Sequence, residues 1–166
     1  MMKPKFFLAN AAPLGIVIFL AAMHFSNAGE AGKEKAKPVF TVSEYDPKRD
    51  PVKDLAETVK LAKKEKRRII LLVGGTWCHW CRMIPKYFEK TEPVAAILAR
   101  DYVIMKVDDS NTDFLHQYPA IPAYPHLIVL DSNGKHLHSQ DSEKLEKGTG
   151  YDDDAFVAFL KKWTPK

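Results

Sequence analysis

The chain predicts an α/β fold, a central mixed β-sheet flanked by helices on both faces. Three observations point there. "RIILLVG" (68–74) and "YVIMKVD" (102–108) are β-branched, largely apolar runs, the pattern of strands covered on both sides. Helical patterns alternate with these runs, as in layered α/β architectures. A late "DSNG" turn (131–134) then joins two further strands as a hairpin, which makes the sheet mixed. At 166 residues, with 46% hydrophobic and 11% aromatic content, the chain can fill one such core and carry an appendage.

The appendage is N-terminal. Lys3 and Lys5 precede an apolar run from Ala11 to Met23, followed by Ser26-Asn27-Ala28. This is the layout of a secretory signal peptide (1–28), with cleavage expected after Ala28. An uncleaved anchor is the alternative, but Pro13 interrupts the run, which falls short of the ~20 apolar residues that span a bilayer. Residues 29–38, "GEAGKEKAKP", are small and charged and read as a flexible leader, leaving 39–166 as the folded domain. Without residues 1–28 the chain holds 23 basic against 21 acidic residues, a near-balance that gives no support for nucleic-acid binding. Nothing in the pattern calls for more than a monomer.

Within the domain, Asp50 and Pro51 make an N-cap and first helical position. Val52, Leu55, Ala56, Val59 and Ala62 follow as one apolar stripe, ahead of a basic end, "KKEKRR", that suits the helix dipole. The strand at 68–74 leads to a helix from His79 to Lys90, which Pro85 is expected to kink, and a second helix from Glu92 to Arg100. After the strand at 102–108 come a short helix from Thr112 to Tyr118, loop prolines at 119 and 122, and a strand at 126–131. The hairpin returns as "KHLHS", and Asp152 caps a last helix with Phe156, Phe159, Leu160 and Trp163 on one side.

The chemistry concentrates in "LLVGGTWCHWCRMIP" (71–85), which holds the only two cysteines, Cys78 and Cys81. They sit between a strand and a helix. There, unpaired backbone N–H groups and the helix dipole favour a thiolate at Cys78 and lower its pKa. Cys81, one turn on and more buried, is placed to resolve a mixed disulfide by attacking Cys78. His79 and Arg82 add positive charge nearby. Other readings stay open at this level. A fixed structural disulfide across so short a loop constrains the unfolded chain little. Zinc needs four ligands, and copper two thiolates plus a histidine; His136 and His138 are the candidates within reach of such a scheme. Asp109, Asn111 and Asp113 imitate the start of a calcium loop, but Phe114 and Ala120 stand where glycine and glutamate are needed, so they read as a polar loop capping a short helix.

"TWCHWC" resembles the active-site stretch of the thioredoxin superfamily, specifically its exported thioredoxin-like branch with a Trp-Cys-X-X-Cys motif. Trp77 takes the position of the tryptophan before the first cysteine. "YPHLIVLDSNGK" (124–135) is similar to that family's cis-proline strand and hairpin, which puts the cis-proline at Pro125 beside Tyr124. "VIMKVD" is similar to its central strand, with Lys106 beneath the active site. The resemblance covers roughly residues 40 to 163. It implies a thioredoxin-like fold and a thiol–disulfide oxidoreductase exchanging Cys78–Cys81 with protein thiols and disulfides in the bacterial periplasm. An exported reductant would also need a membrane redox partner to recharge it, because the extracytoplasmic space has no thiol buffer of its own; no cofactor or metal is expected. Trp77 is expected to pack beside the site and Trp80 to be partly exposed, shaping substrate contact. Two departures count. Thioredoxin's buried Asp, six residues before the first cysteine, is Leu72 here, so its proton relay is missing or supplied otherwise, by water or by Lys106. The Gly-Pro between its cysteines is His79-Trp80, so the direction of electron flow does not carry over. A non-catalytic module that binds copper, zinc or a client chain is the alternative function.

Overall fold

The computed structural model describes residues 36–166. The signal peptide and most of the leader read from the sequence lie outside the described residues. Among those described, no helix is long and apolar enough to cross a membrane.

The elements run β1 (Val39–Val42), α1 (Pro51–Glu65), β2 (Arg68–Gly74), α2 (His79–Lys90), α3 (Glu92–Asp101), β3 (Tyr102–Asp108) and α4 (Thr112–Leu115). They continue with β4 (His126–Leu130), β5 (His136–Asp141), a 3-10 turn (Ser142–Leu145), the two-residue strands β6 (Glu146–Lys147) and β7 (Gly150–Tyr151), and α5 (Asp153–Lys162). Five strands form one sheet in the order β1-β3-β2-β4-β5. The pairs β1–β3 and β3–β2 are parallel, while β4 runs antiparallel to both β2 and β5. The sheet is therefore mixed, as the apolar runs and the late hairpin require.

Strand alternation sends the central side chains into two cores. Ile70, Leu72, Ile104, Leu127 and Val129 pack under α2, α3 and α5 with Ile84, Phe88, Leu98 and Phe156. Ile69, Leu71, Val73, Met105 and Ile128 face the other way, onto Ala62 of α1 and Phe114 and Leu115 of α4. Covering on both faces explains why β2 and β3 read as unbroken apolar runs.

Asp50 caps α1, its carboxylate accepting from the N–H groups of Val52 and Lys53 at 3.1 and 3.2 Å. Two of the five positions predicted for the stripe of this helix face solvent. Val52 is 65% exposed and Ala56 also faces solvent. The inward positions include Thr58, fully buried, whose hydroxyl pairs with that of Thr41 on β1 at 2.7 Å. An apolar count passes over a buried threonine because its hydroxyl is satisfied. α4 ends at Leu115 instead of Tyr118: Tyr118 N–H closes a turn on Leu115 C=O at 3.0 Å, and Pro119 disfavours helical backbone at the residue before it. In the hairpin Asp131 accepts from the N–H groups of Asn133 and Lys135, both at 2.8 Å, and Gly134 takes φ 85°, which a side chain would resist. Asp152 caps α5 through Ala155 N–H at 3.0 Å.

His126 opens β4 at 3% exposure, and neither ring nitrogen has a hydrogen-bond partner among the described residues. Burial pushes its pKa below the ordinary 6.5, with Asp141 pulling the other way and His138 adding to the depression. Below 6.5 the unfolded chain therefore binds a proton that the folded one resists. Stability rises with pH through the window under 6.5 and falls on acidification. Thermal unfolding measured from pH 7 to 5 is expected to show a steeper loss in the wild type than in His126→Phe, which carries no proton to gain.

Candidate active site

Gly74 ends β2, and three residues later the chain enters α2 with Cys78 as its N-cap. Cys78 N–H donates to Gly75 C=O at 3.2 Å, and Arg82 N–H to Cys78 C=O at 3.3 Å. The Cys81 N–H donates to Cys78 Sγ at 3.1 Å, so the sulfur itself caps the helix and sits at the positive end of its dipole. Cys78 and Cys81 are joined as a disulfide. Cys78 is 6% exposed and Cys81 fully buried, so any partner meets Cys78 first.

Tyr124 and Pro125 approach from the start of β4. Their peptide bond is cis, and the Tyr124 carbonyl oxygen lies 3.7 Å from Cys78 Sγ. Trp77 packs edge-on to the Tyr124 ring, centroids 5.8 Å apart, and its Nε1–H donates to Asp109 Oδ1 at 3.2 Å. Asp109 is itself tied to β2, its N–H donating to Gly74 C=O at 2.8 Å. Those contacts still leave Trp77 65% exposed. Trp80 is half-buried against Tyr151 of β7, centroids 5.4 Å apart. Trp77 is thus the more open of the two indoles on this surface.

His79 is exposed, and the exposed Arg82 sends its guanidinium to Thr76 C=O at 2.7 Å, bracing the loop ahead of the cysteines. Leu72 is fully buried in the core that holds both cysteines, leaving an apolar side chain where an acid was looked for. Its neighbour in the β2–β3 register is Lys106. The Lys106 ammonium lies 5.0 Å above the Tyr45 ring and 6.0 Å from that of Phe40, and burial pushes its pKa down against the pull of Glu44. His136 and His138 part company: His136 faces Tyr118, whereas His138 stacks on Trp163 at 4.7 Å. Among the described residues no three Cys, His, Asp or Glu side chains converge as metal ligands.

Four residues at the site escaped the motif reading: Tyr45, Gly74, Asp109 and Tyr151. A Cβ built on Gly74 would collide with Cys81 Sγ and come within 3.3 Å of the Tyr45 hydroxyl. On Gly75 it would meet Trp77 Nε1 at 2.5 Å and Asp109 Oδ1 at 2.9 Å. Paired glycines at the end of an apolar strand are a sequence-level sign of close approach. Gly74→Ala is therefore expected to destabilise the oxidised protein by about 1–3 kcal/mol through overpacking. Because the clash is with sulfur, urea unfolding should show a different penalty in the reduced protein, where Cys81 Sγ is free to rotate.

Comparison with known proteins agrees with this architecture. A family model described as thioredoxin-like matches residues 50–132. Human spermatogenesis-associated protein 20 is 38% identical over 52 residues, which cover 31% of this chain and 7% of that protein. The chain therefore matches only a small part of that relative's length. The crystal structure of a disulphide isomerase from Xylella fastidiosa Temecula1 superposes with a TM-score of 0.60 at 22% identity, covering 71% of this chain and 94% of the other. A structure titled DsbH Oxidoreductase gives 0.51 at 18% identity, covering 76% and 85%. The likeness of these structures is one of fold.

Proposed function

The chain belongs to the thioredoxin-like family, and from that premise we propose that it is an exported thiol–disulfide oxidoreductase that exchanges the Cys78–Cys81 pair with protein partners. The observation that carries the reading is the helix-capping sulfur of Cys78, the outer member of the pair at 6% exposure, backed by a fully buried Cys81. Two similar folds bear the names disulphide isomerase and oxidoreductase, which adds support. In the reducing direction the Cys78 thiolate attacks a client disulfide. One client sulfur leaves with the electron pair and takes a proton from water. Cys81, having lost its proton to water, then attacks Cys78 Sγ and the second client thiolate departs. Two electrons pass from the cysteine pair to the client, and the oxidising direction is the same path reversed.

Trp77, Tyr124 and Pro125 frame the approach to Cys78, and Trp80, His79 and Arg82 border it. The chain acts as a monomer in the bacterial periplasm, where a membrane redox partner resets the pair after each exchange. Equilibrating the purified protein in graded glutathione buffers and reading the fraction oxidised tests the reading. A reversible two-electron couple is expected. A potential near roughly −270 mV marks a reductant and one near roughly −120 mV a donor of disulfides. Failure to form a reversible disulfide would overturn it in favour of a binding module for a metal or a client chain.

A further inference from the structure

Tyr45 lies in the core beside the cysteines at 7% exposure, and its hydroxyl has no hydrogen-bond partner among the described residues. A buried hydroxyl without a partner is unfavourable, so such groups call for an explanation. Its surroundings supply one. The hydroxyl and Cys81 Sγ converge on the bare α-carbon of Gly74, where an added Cβ would meet both. The Lys106 ammonium covers the phenol ring. With Cys81 locked in the disulfide, the phenol has little to donate to. Opening the disulfide gives Cys81 a thiol and then a thiolate, a strong acceptor.

We propose that the Tyr45 hydroxyl donates a hydrogen bond to the Cys81 sulfur once the disulfide opens, stabilising the thiolate that resolves the mixed disulfide where Leu72 leaves no acid to assist. The inference rests on the exchange reading above. The step balances without another reactant. Cys81 gives its proton to water, its thiolate takes the Tyr45 O–H and attacks Cys78 Sγ. The Cys78–Cys81 bond forms as the Cys78–client bond breaks, and the client sulfur leaves with the electron pair and is protonated by water. Tyr45 supplies a hydrogen bond and no proton. Burial, together with Tyr151 from β7, Asp108 at the end of β3 and Asp109 just after it, pushes its pKa far above the ordinary value, so it remains a donor at any working pH. Lys106, its pKa lowered by burial, holds its ammonium 5.0 Å from the centre of the Tyr45 ring.

The test uses the full reduced chain and a chromogenic aromatic disulfide. The first coloured thiolate released reports attack by Cys78, and the second reports resolution by Cys81. In Tyr45→Phe the first step is expected to be unchanged. The pH inflection of the second should rise by at least about one unit, because a hydrogen bond to an ionised sulfur is lost. Below that inflection the thiolate fraction falls about tenfold while its nucleophilicity gains about threefold, so resolution slows about threefold. An unchanged second phase and inflection would overturn the role of Tyr45 and leave the exchange reading standing. Absence of both phases in the wild type would instead remove the exchange reading. Should Tyr45→Phe fail to fold, 3-fluorotyrosine at position 45 reads the same bond with the opposite sign: a more acidic hydroxyl is expected to lower the inflection, and no change would overturn the proposal.

Discussion

Cys78→Ser is expected to lose thiol–disulfide exchange down to the uncatalysed background, while Cys81→Ala is expected to stall with its partner attached. The asymmetry follows from geometry. Cys78 retains the outer position of the pair and the Cys81 backbone N–H as its cap, neither of which depends on the Cys81 side chain. A serine hydroxyl at 78 is far too weak an acid to supply the nucleophile at neutral pH. In Cys81→Ala the first displacement proceeds, and no second sulfur follows. Non-reducing gels should then show a covalent adduct of Cys81→Ala with a disulfide-bearing client, dispersed by reductant and absent from Cys78→Ser. Retained activity in Cys78→Ser, or trapping by that variant instead, would sink the assignment of attacker and resolver.

The second large effect is structural. Phe156 of α5 is fully buried, its ring 5.1 Å from Tyr87, 5.4 Å from Tyr151 and 5.6 Å from Phe88, mostly edge to face. Phe156→Ala removes a side chain that ties α5 to α2 and to β7, and is expected to lower stability by about 3–5 kcal/mol. Set against the roughly 5–15 kcal/mol of a typical domain, that is about a fifth of the total or more. The melting temperature should fall by roughly 10 °C. Val52→Ala serves as the contrast. Its 65% exposure predicts a change within about 0.5 kcal/mol, although the helical stripe marks Val52 as apolar and inward. Tyr151 also floors Trp80, so Phe156→Ala should loosen the rim of the site as well, visible as a red shift of tryptophan emission.

Legibility tracked how local the cause was. β2 and β3 are bounded at the residues their apolar runs predict, because burial on both faces leaves Lys106 as the one polar position inside them, too little to blur the pattern. Asp50, Asp152 and the 131–134 turn act within four residues of themselves and were readable for the same reason. β1 was not: four residues on a sheet edge, paired on one side, carry too short a pattern. β6 and β7 are two residues each and carry none. At the site, Cys78 and Cys81 announce themselves by spacing. Tyr45 lies 36 positions from Cys81 in the chain and meets it only through the folded sheet, with no spacing to betray it. The roles of the two indoles depended on which one found a wall. Trp80 found Tyr151, and Trp77 found only Asp109 and the edge of Tyr124.

The strand order carries a consequence for the history of each molecule. β3 lies between β1 and β2, so the parallel ladders cannot close until the chain has been made or delivered past residue 108. Cys78 and Cys81 are out well before that, in a segment with no sheet yet to shelter it. In a protein with more thiols, such an interval would invite wrong pairings, three connectivities for four cysteines and fifteen for six. With two there is a single intramolecular outcome, and it is the native one. Early oxidation leaves no scrambled intermediate to undo, and the chain reaches its fold with the same covalent graph whether the sulfurs join before the sheet or after it.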